Sequence, residues 1–598
     1  MEYTFHENQS DYVGTISNLH GFLHRNLGTG FDTKWCGFWV PPYKFLDYYA
    51  LKVNGLWLNN DTLECTEYGD KMVFHHETDS LSIKEVVSTP EKLPGMKLEV
   101  FLENNTDSIK AARAVLELGV DIRRKDQDIG PEDYETEFRK NRLTVSNGDR
   151  KLMVSSDHTF MKTGGEYIKN HHPGENQRCL VPGNLGFNVE LGPGETRVVE
   201  IEFTSSDTRF SSMEHVYGSL QHEFGHSFRQ SRKSMENLCY DRNGPGIIAG
   251  HPWFQSYWAR DTFWSLMGLI DAGYFEFAHD VLENFAKKDI PGTIDLDEGQ
   301  EELERDDTAP LFIIASEHLK NYYRLSDRLV DAREKAMESL KMDGNLVDHD
   351  PKGTWMDTME RENAVDIQSL WLEAARIMND ERKDRLEKGL EEFVDDERVR
   401  DNLDNELNTI NTAIPLMFDQ LDEEVAEREL EKINGEFSSR HGARTVSAMD
   451  PAYQSEGYHT GSVWELTTAW AASANFIHGN ETHGESFLRK MAHKVDKDQP
   501  GAFPEVVNAE TGDLLGCPEQ AWSAGMFLHA IDRYMLGIKP VDGTLVIKPP
   551  EKVEAVRKGK KIGDRVLDIR IDSGDVTVLS DEAEAINTGD GKFRIEFS

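Results

Sequence analysis

Hydrophobic and polar positions alternate through the first 205 residues, in runs such as KLEVFLEN (97–104), AVLELGVDI (114–122), RLTVS (142–146) and RVVEIEF (197–203). A period of two sends successive side chains to opposite faces of a strand, and the turn signals ENNTD, SNGD and GPGE separate the runs. Residues 1–205 therefore predict an N-terminal antiparallel β-sandwich.

From about 211 to 538 the period becomes helical. It predicts twelve helices, starting near 211, 260, 274, 307, 326, 362, 381, 409, 421, 459, 480 and 519. Every second one is apolar nearly all round, as in FWSLMGLI (263–270), APLFIIA (309–315), AIPLMF (413–418) and AWSAGMFLHAI (521–531). The others carry a single stripe; in the fifth it is Leu329, Ala332, Ala336 and Leu340. A helix apolar on all sides must be enclosed, and one with a single stripe lies outside. Six enclosed helices alternating with six outer ones predict an (α/α)6 barrel over 241–540, preceded by a linker or first helix at 206–240. Strand-like runs return at TLVIKPP, RVLDIRID and KFRIEFS, which predict a small C-terminal β appendage at 541–598.

Charge narrows the partners. With 66 basic and 108 acidic residues the net charge is −42, which repels nucleic acid. The acids are spread over helices, a pattern that fits solubility in a salt-rich cytoplasm. Five scattered cysteines without C-x-x-C spacing read as reduced thiols. The start MEYTFHENQS lacks the marks of a secretory signal, and no run of 18 apolar residues suggests a membrane span. A cytoplasmic location is the expectation.

Chemistry gathers just before the enclosed helices. HPWFQSYWARD (251–261), ERDD (304–307), GTWMDTMERENAVD (353–366), RTVSAMDPAYQSEGYHTGSVW (444–464) and GAFPEVVNAETGDLLGCPEQAW (501–522) all occupy such positions. In a barrel these loops share one end and converge on a funnel. Trp258 and Trp355 sit in them, where a flat ring beside carboxylates suits a sugar face; a core role fits Trp355 as well.

The ordered set FQSYWARDTFWSL, GTWMD, RTVS…YHTGSVW and FPE…CPEQAWS resembles the glucosidase domain of the glycogen debranching enzyme (amylo-α-1,6-glucosidase) family. The N-terminal stretch GFDTKWCGFWVPPYKFLDYYALKVNG resembles the β domain of its archaeal-type members, and inverting glucoamylases are similar in architecture. The resemblance spans most of residues 20–540. It implies an exo-acting, inverting α-glucosidase that removes glucose from α-1,6 branch points of glycogen-like glucan. No cofactor or metal is implied. The chain lacks a transferase barrel, so a separate glucanotransferase or phosphorylase would act on the same polymer.

The resemblance also implies roles. The family's general acid falls on Asp357 in TWMD and its general base on Glu505 in FPE. The local residues alone fit a helix-capping Asp357 and a surface Glu505 at least as well, and the motif order is what selects catalysis. An Asp against Trp355 and Met356 is open to desolvation, which keeps a carboxyl protonated near neutrality. Arg260 and Asp261 match the pair that would hold hydroxyls of the terminal glucose. Asp307, Asp366, His459 and Trp464 match further substrate-binding positions. Asp366 stands where Glu is common, and Glu519 where a small or polar residue is usual. Glu519 therefore competes with Glu505 for the base role. The alternatives on the same scaffold are a glucoamylase or a trehalase, and beyond them a glucan-binding relative without catalysis.

One motif points elsewhere. His222-Glu223-Phe224-Gly225-His226 is a literal H-E-x-x-H, the spacing of a zinc peptidase helix. Val216, Leu220, Phe224 and Phe228 form an apolar stripe if the segment is helical, leaving both histidines on the far face. No distal ligand follows at the usual spacing. The doublets His75-His76 and His171-His172 also lack partners at ligand spacing. The expectation is a solvent-facing segment with no metal.

Overall fold

The computed structural model describes residues 2–6, 12–124, 127, 133–163, 179–206, 212–296, 305–396, 398–541, 543–580 and 582–597. His171, His172, Glu304 and the helix start expected near 211 lie outside them. The chain forms two compact units. The first comprises Met1–Ser212, Cys239–Arg242 and Asp498–Pro500; the second comprises the rest.

The first unit is two antiparallel sheets. One orders nine strands from Tyr3–His6 to Glu135–Arg139, with Gly95–Asn104 and Thr196–Ser205 near its middle. The other holds eight, with the long strands Tyr43–Val53 and Lys110–Arg124 at its centre. Leu98, Val100 and Leu102 from the first and Leu116, Leu118 and Val120 from the second are buried in one shared hydrophobic cluster. The period-two pattern thus turns one face of each sheet into a common core.

Among the described residues twelve α-helices form the body of the second unit: α1 (Gly225–Leu238), α2 (Ala259–Ala272), α3 (Phe275–Ala286), α4 (Thr308–Lys320), α5 (Asp327–Glu338), α6 (Val365–Met378), α7 (Lys383–Glu391), α8 (Ala413–Met417), α9 (Glu423–Lys432), α10 (Glu465–Ile477), α11 (Glu481–Ala492) and α12 (Ala521–His529). Each even-numbered helix packs on the next, and α12 packs back on α2. All residues of α2 and α12 are buried, whereas α5 and α7 bury one stripe each. Backbone meets backbone where α2 crosses α12: a Cβ at Gly268 would lie 1.9 Å from the Gly525 carbonyl oxygen. Among the described residues no helix is long and apolar enough to cross a membrane.

Two boundaries differ from expectation, each because of tertiary pairing. Ser219–Gln221 is a strand, and α1 begins only at Gly225. Leu220 pairs with Arg557 of a C-terminal strand, and this ladder overrides helical propensity. The tenth helix starts at Glu465, since Val463–Trp464 pairs with Val506–Val507.

The C-terminal strands form one four-stranded sheet and, together with Ser219–Gln221, a second, and they are tied firmly to the helices. Arg557 and Lys560 reach Asp532 at 2.8 and 3.0 Å, and Lys560 lies 3.6 Å from Asp271. Asp271 also bonds His318, His529 and Tyr322, at 3.1, 2.6 and 2.9 Å. Asp271, His318 and His529 are the donor types of a metal site. Here the histidines bond the carboxylate directly and the Lys560 ammonium supplies the positive charge, so the cluster is complete as an ion-pair network.

Candidate active site

Short two-residue bridges pin the loops that lead into the even-numbered helices. Tyr257–Trp258 pairs with Thr293–Ile294, Gly250–His251 with Glu519–Gln520, and Val463–Trp464 with Val506–Val507. Asp261 and Asp307 lie at the N-terminal ends of α2 and α4, where the helix dipole favours negative charge, and Gln520 at that of α12.

Arg260 is the hub. Its buried guanidinium lies 3.0 Å from Asp307, 3.6 Å from Asp357 and 3.5 Å from the Gly353 carbonyl oxygen. Burial pushes the Asp307 carboxyl up to about 6 against the pull of Arg260. Asp261 accepts from Gln520 Nε2 at 2.8 Å, and burial, reinforced by the charge of Glu505, pushes it up to about 8. Asp307 Oδ1, Thr308 Oγ1, Gln520 Oε1 and Trp522 Nε1 are buried without a hydrogen-bond partner among the described residues. Such atoms at one set of helix ends suit a ligand rich in hydroxyls.

Asp357 lies in the loop between α5 and α6. The apolar enclosure expected from Trp355 and Met356 is absent. Those two side chains turn into the core, while Asp357 stays 33% exposed between Arg260 at 3.6 Å and Arg305 at 3.8 Å. Arg305, within ERDD, carries no local sign in the sequence of its closeness to Asp357.

Glu505 is 2% exposed. The Cys517 N–H donates to Oε2 at 2.8 Å and the Tyr458 hydroxyl to Oε1 at 2.5 Å. Burial raises its carboxyl above the ordinary range, and the two donors moderate the rise. A Cβ at Gly516 would lie 2.4 Å from Oε2, so only glycine leaves room for this carboxylate. Tyr458 bonds the second of the two acids, which lie 148 positions apart in sequence. Burial raises its phenol well above the usual range, and Glu505, Asp261 and Asp357 all add to the rise. Asp357 and Glu505 lie in the same compact unit.

The other expected residues divide. Trp258 is half-buried beside Arg260, open enough to meet a ligand. His459 is buried, bonds Thr358 Oγ1 at 2.7 Å and stacks on Trp464, their centroids 5.1 Å apart. Burial pushes its imidazole down to about 3, so the ring is neutral at neutral pH. Trp464 is buried, and its Nε1 donates to the Tyr458 carbonyl oxygen at 2.6 Å. Three further expected contacts are engaged by partners within the protein. Trp355 is 4% exposed and donates to Asn411 at 2.7 Å, which makes it a wall behind the loop. Asp366 gives both oxygens to Arg361, at 2.9 and 3.1 Å, in a network that includes Asp401. Glu519 accepts from Ser234 at 2.9 Å and bonds His251 at 3.0 Å, on the side away from Gln520.

The H-E-x-x-H segment is not one helix. His222 and Glu223 precede α1, Glu223 pairs with Arg489 at 2.5 Å, and His226 pairs with Asp496 at 3.0 Å. Val216, Leu220, Phe224 and Phe228 are buried as expected, but from loop, strand, turn and helix in turn.

Carboxylates and a guanidinium at helix N-terminal ends suit a glycoside hydrolase, and the family match shows one. The chain belongs to the amylo-α-1,6-glucosidase family, whose model matches residues 225–529. In structure it is similar to a bacterial glucoamylase solved with acarbose, at 13% identity and a TM-score of 0.58, over 89% of this chain and 95% of that one. It is also similar to a protein described as a kojibiose phosphorylase from the human microbiome, at 9% identity and a TM-score of 0.58, over 98% and 95%. No curated protein matches the chain in sequence.

Proposed function

We propose that the chain is an inverting, exo-acting α-glucosidase that releases glucose from α-1,6 branch points of glycogen-like glucan. The catalytic unit is read as an (α/α)6 barrel with its funnel at the N-terminal ends of α2, α4, α6, α10 and α12. The observation that carries the reading is the gathering of Asp357 and Asp307 on Arg260, next to the buried Asp261 that accepts from Gln520. Asp357 protonates the glycosidic oxygen while Glu505 takes a proton from the attacking water. Inversion requires the two carboxyls to stand roughly 6.5–9.5 Å apart, with that water between them. A buried Glu505 of raised basicity suits the base, and the exposure of Asp357 lets it meet a leaving group. Arg260, Asp261, Asp307 and Gln520 hold hydroxyls of the terminal glucose, with Trp258 against a sugar face.

Hydrolysis is favoured over phosphorolysis by charge. A phosphate nucleophile entering beside Glu505 and Asp261 would meet carboxylates where water meets a base. The polymer would be shortened first by a separate transferase or phosphorylase, in the cytoplasm. A net charge of −42 fits a salt-rich cytoplasm, where screening relieves self-repulsion. Melting that fails to rise with KCl would remove that part of the reading.

The test is to offer isomaltose, panose, maltose, trehalose and a phosphorylase limit dextrin, and follow free glucose by NMR. Initial β-glucose from panose or limit dextrin is the expected result. Release of α-glucose first would overturn inversion, and release from trehalose or maltose alone would move the enzyme to another linkage.

A further inference from the structure

We propose that the adjacent residues Tyr458 and His459 form a clamp that sets the separation of the acid and the base, with His459 as a positioning residue for Asp357. The inference rests on the reading of Asp357 and Glu505 as the acid and base.

The two side chains leave one point on the backbone and serve different carboxylates. Tyr458 donates its phenol to Glu505 at 2.5 Å. His459 Nδ1 bonds the hydroxyl of Thr358, the residue after Asp357, at 2.7 Å. The same imidazole meets Trp355, two residues before Asp357, edge to face at a centroid distance of 5.3 Å. His459 therefore holds the acid's loop on both sides. The point of origin is fixed in turn: the Tyr458 carbonyl oxygen accepts from Trp464 Nε1 at 2.6 Å and from Ser462 Oγ at 2.7 Å. Asp357, by contrast, touches the protein through guanidinium groups at 3.6 and 3.8 Å, contacts too long to fix a carboxylate alone. A water that must fit between two acids tolerates little error in their spacing, and displacements near 1 Å cost up to about 10²-fold.

Thr358 is exposed, so its variants test the clamp without opening the core. The measurement compares wild type, T358V, T358S and Y458F on panose and on α-glucosyl fluoride, whose leaving group departs without an acid. T358V is expected to lose about tenfold in kcat on panose, with KM and the fluoride rate little changed. T358S restores the panose rate, and Y458F slows both substrates because it acts on the base. If T358V matches wild type on panose, or falls equally on both substrates, the clamp is overturned. The underlying reading stands in that case provided D357N loses panose activity and keeps fluoride activity. If D357N behaves like wild type on panose, the reading fails and the clamp with it.

Discussion

Glu519 and Gln520 are neighbours in sequence that face opposite ways: Gln520 donates to Asp261 at 2.8 Å, and Glu519 bonds His251 at 3.0 Å. The strand pairing of both residues with Gly250–His251 enforces the alternation. Only the Gln520 side meets the cluster around Arg260 and Glu505. E505Q is therefore expected to lose at least ~10²-fold in kcat, while E519Q changes it less than ~10-fold. Steady-state kinetics on panose decides, and a reversal of the two losses would move the base to Glu519.

The acid limb of the kcat/KM profile should report Glu505. A base must be ionised, so activity falls as pH drops through a carboxyl that burial has already raised. The Tyr458 hydrogen bond stabilises the ionised form. Y458F should therefore move the acid limb to higher pH, a direction that loss of packing alone does not give. A pH–rate profile of both proteins checks it.

Asp261 makes a stability prediction with a definite sign. Its carboxyl is pushed up to about 8 in the fold from an ordinary 3.8. Between those values the folded state binds more protons than the unfolded one, so this group's contribution to stability is lost as pH rises. Asp261→Asn removes the titration. Its stability relative to wild type should grow from about pH 4 to about pH 8, by at most about 1.4 kcal/mol per pH unit, and then level off. Urea unfolding across that range measures it, with activity lost throughout.

Arg361 is fully buried and binds Asp366, Asp401 and Thr354 Oγ1. Arg361→Met leaves two carboxylates buried without their cation, a change expected to cost about 3–5 kcal/mol. Denaturant melts of the variant should show it, and its D366N/D401N combination should recover part of the loss.

The histidines of the H-E-x-x-H segment should be dispensable. The His226 side chain is 41% exposed and its partner Asp496 48%, so H226A should cost less than about 1 kcal/mol. Glucose release by H222A/H226A, with and without EDTA, should match wild type. Caseinolysis that disappears in the variant would reopen the peptidase.

The sequence pattern carried the fold further than it carried the site. Strand alternation and all-round apolarity are local properties, and they located both sheets and the enclosed helices. Where a distant strand intervened, as Arg557 does at Leu220, the local pattern misled. Side-chain direction is set by partners far along the chain. Asp366 is expected at the sugar only through the family resemblance, and nothing local in MERENAVD shows that Arg361 takes both its oxygens. For Trp355 the sequence leaves a sugar face and a core role both open, and the partner that places it, Asn411, lies 56 positions away. Tyr458 stood in YHTGSVW beside a residue that was singled out, and a phenol next to a catalytic motif was the available signal. Arg305 offered none, since its meaning arises only from its distance to Asp357.

Lys560 and Arg557 give the last sixty residues a hold on the rest that the word appendage conceals. They are the counterions of Asp532 and Asp271, which lie in and beside two of the enclosed helices. A chain cut after residue 540 would leave Asp532 and Asp271 buried without those two counterions. The tail behaves as a keystone, and any attempt to trim the enzyme to a minimal catalytic core should begin by replacing those acids.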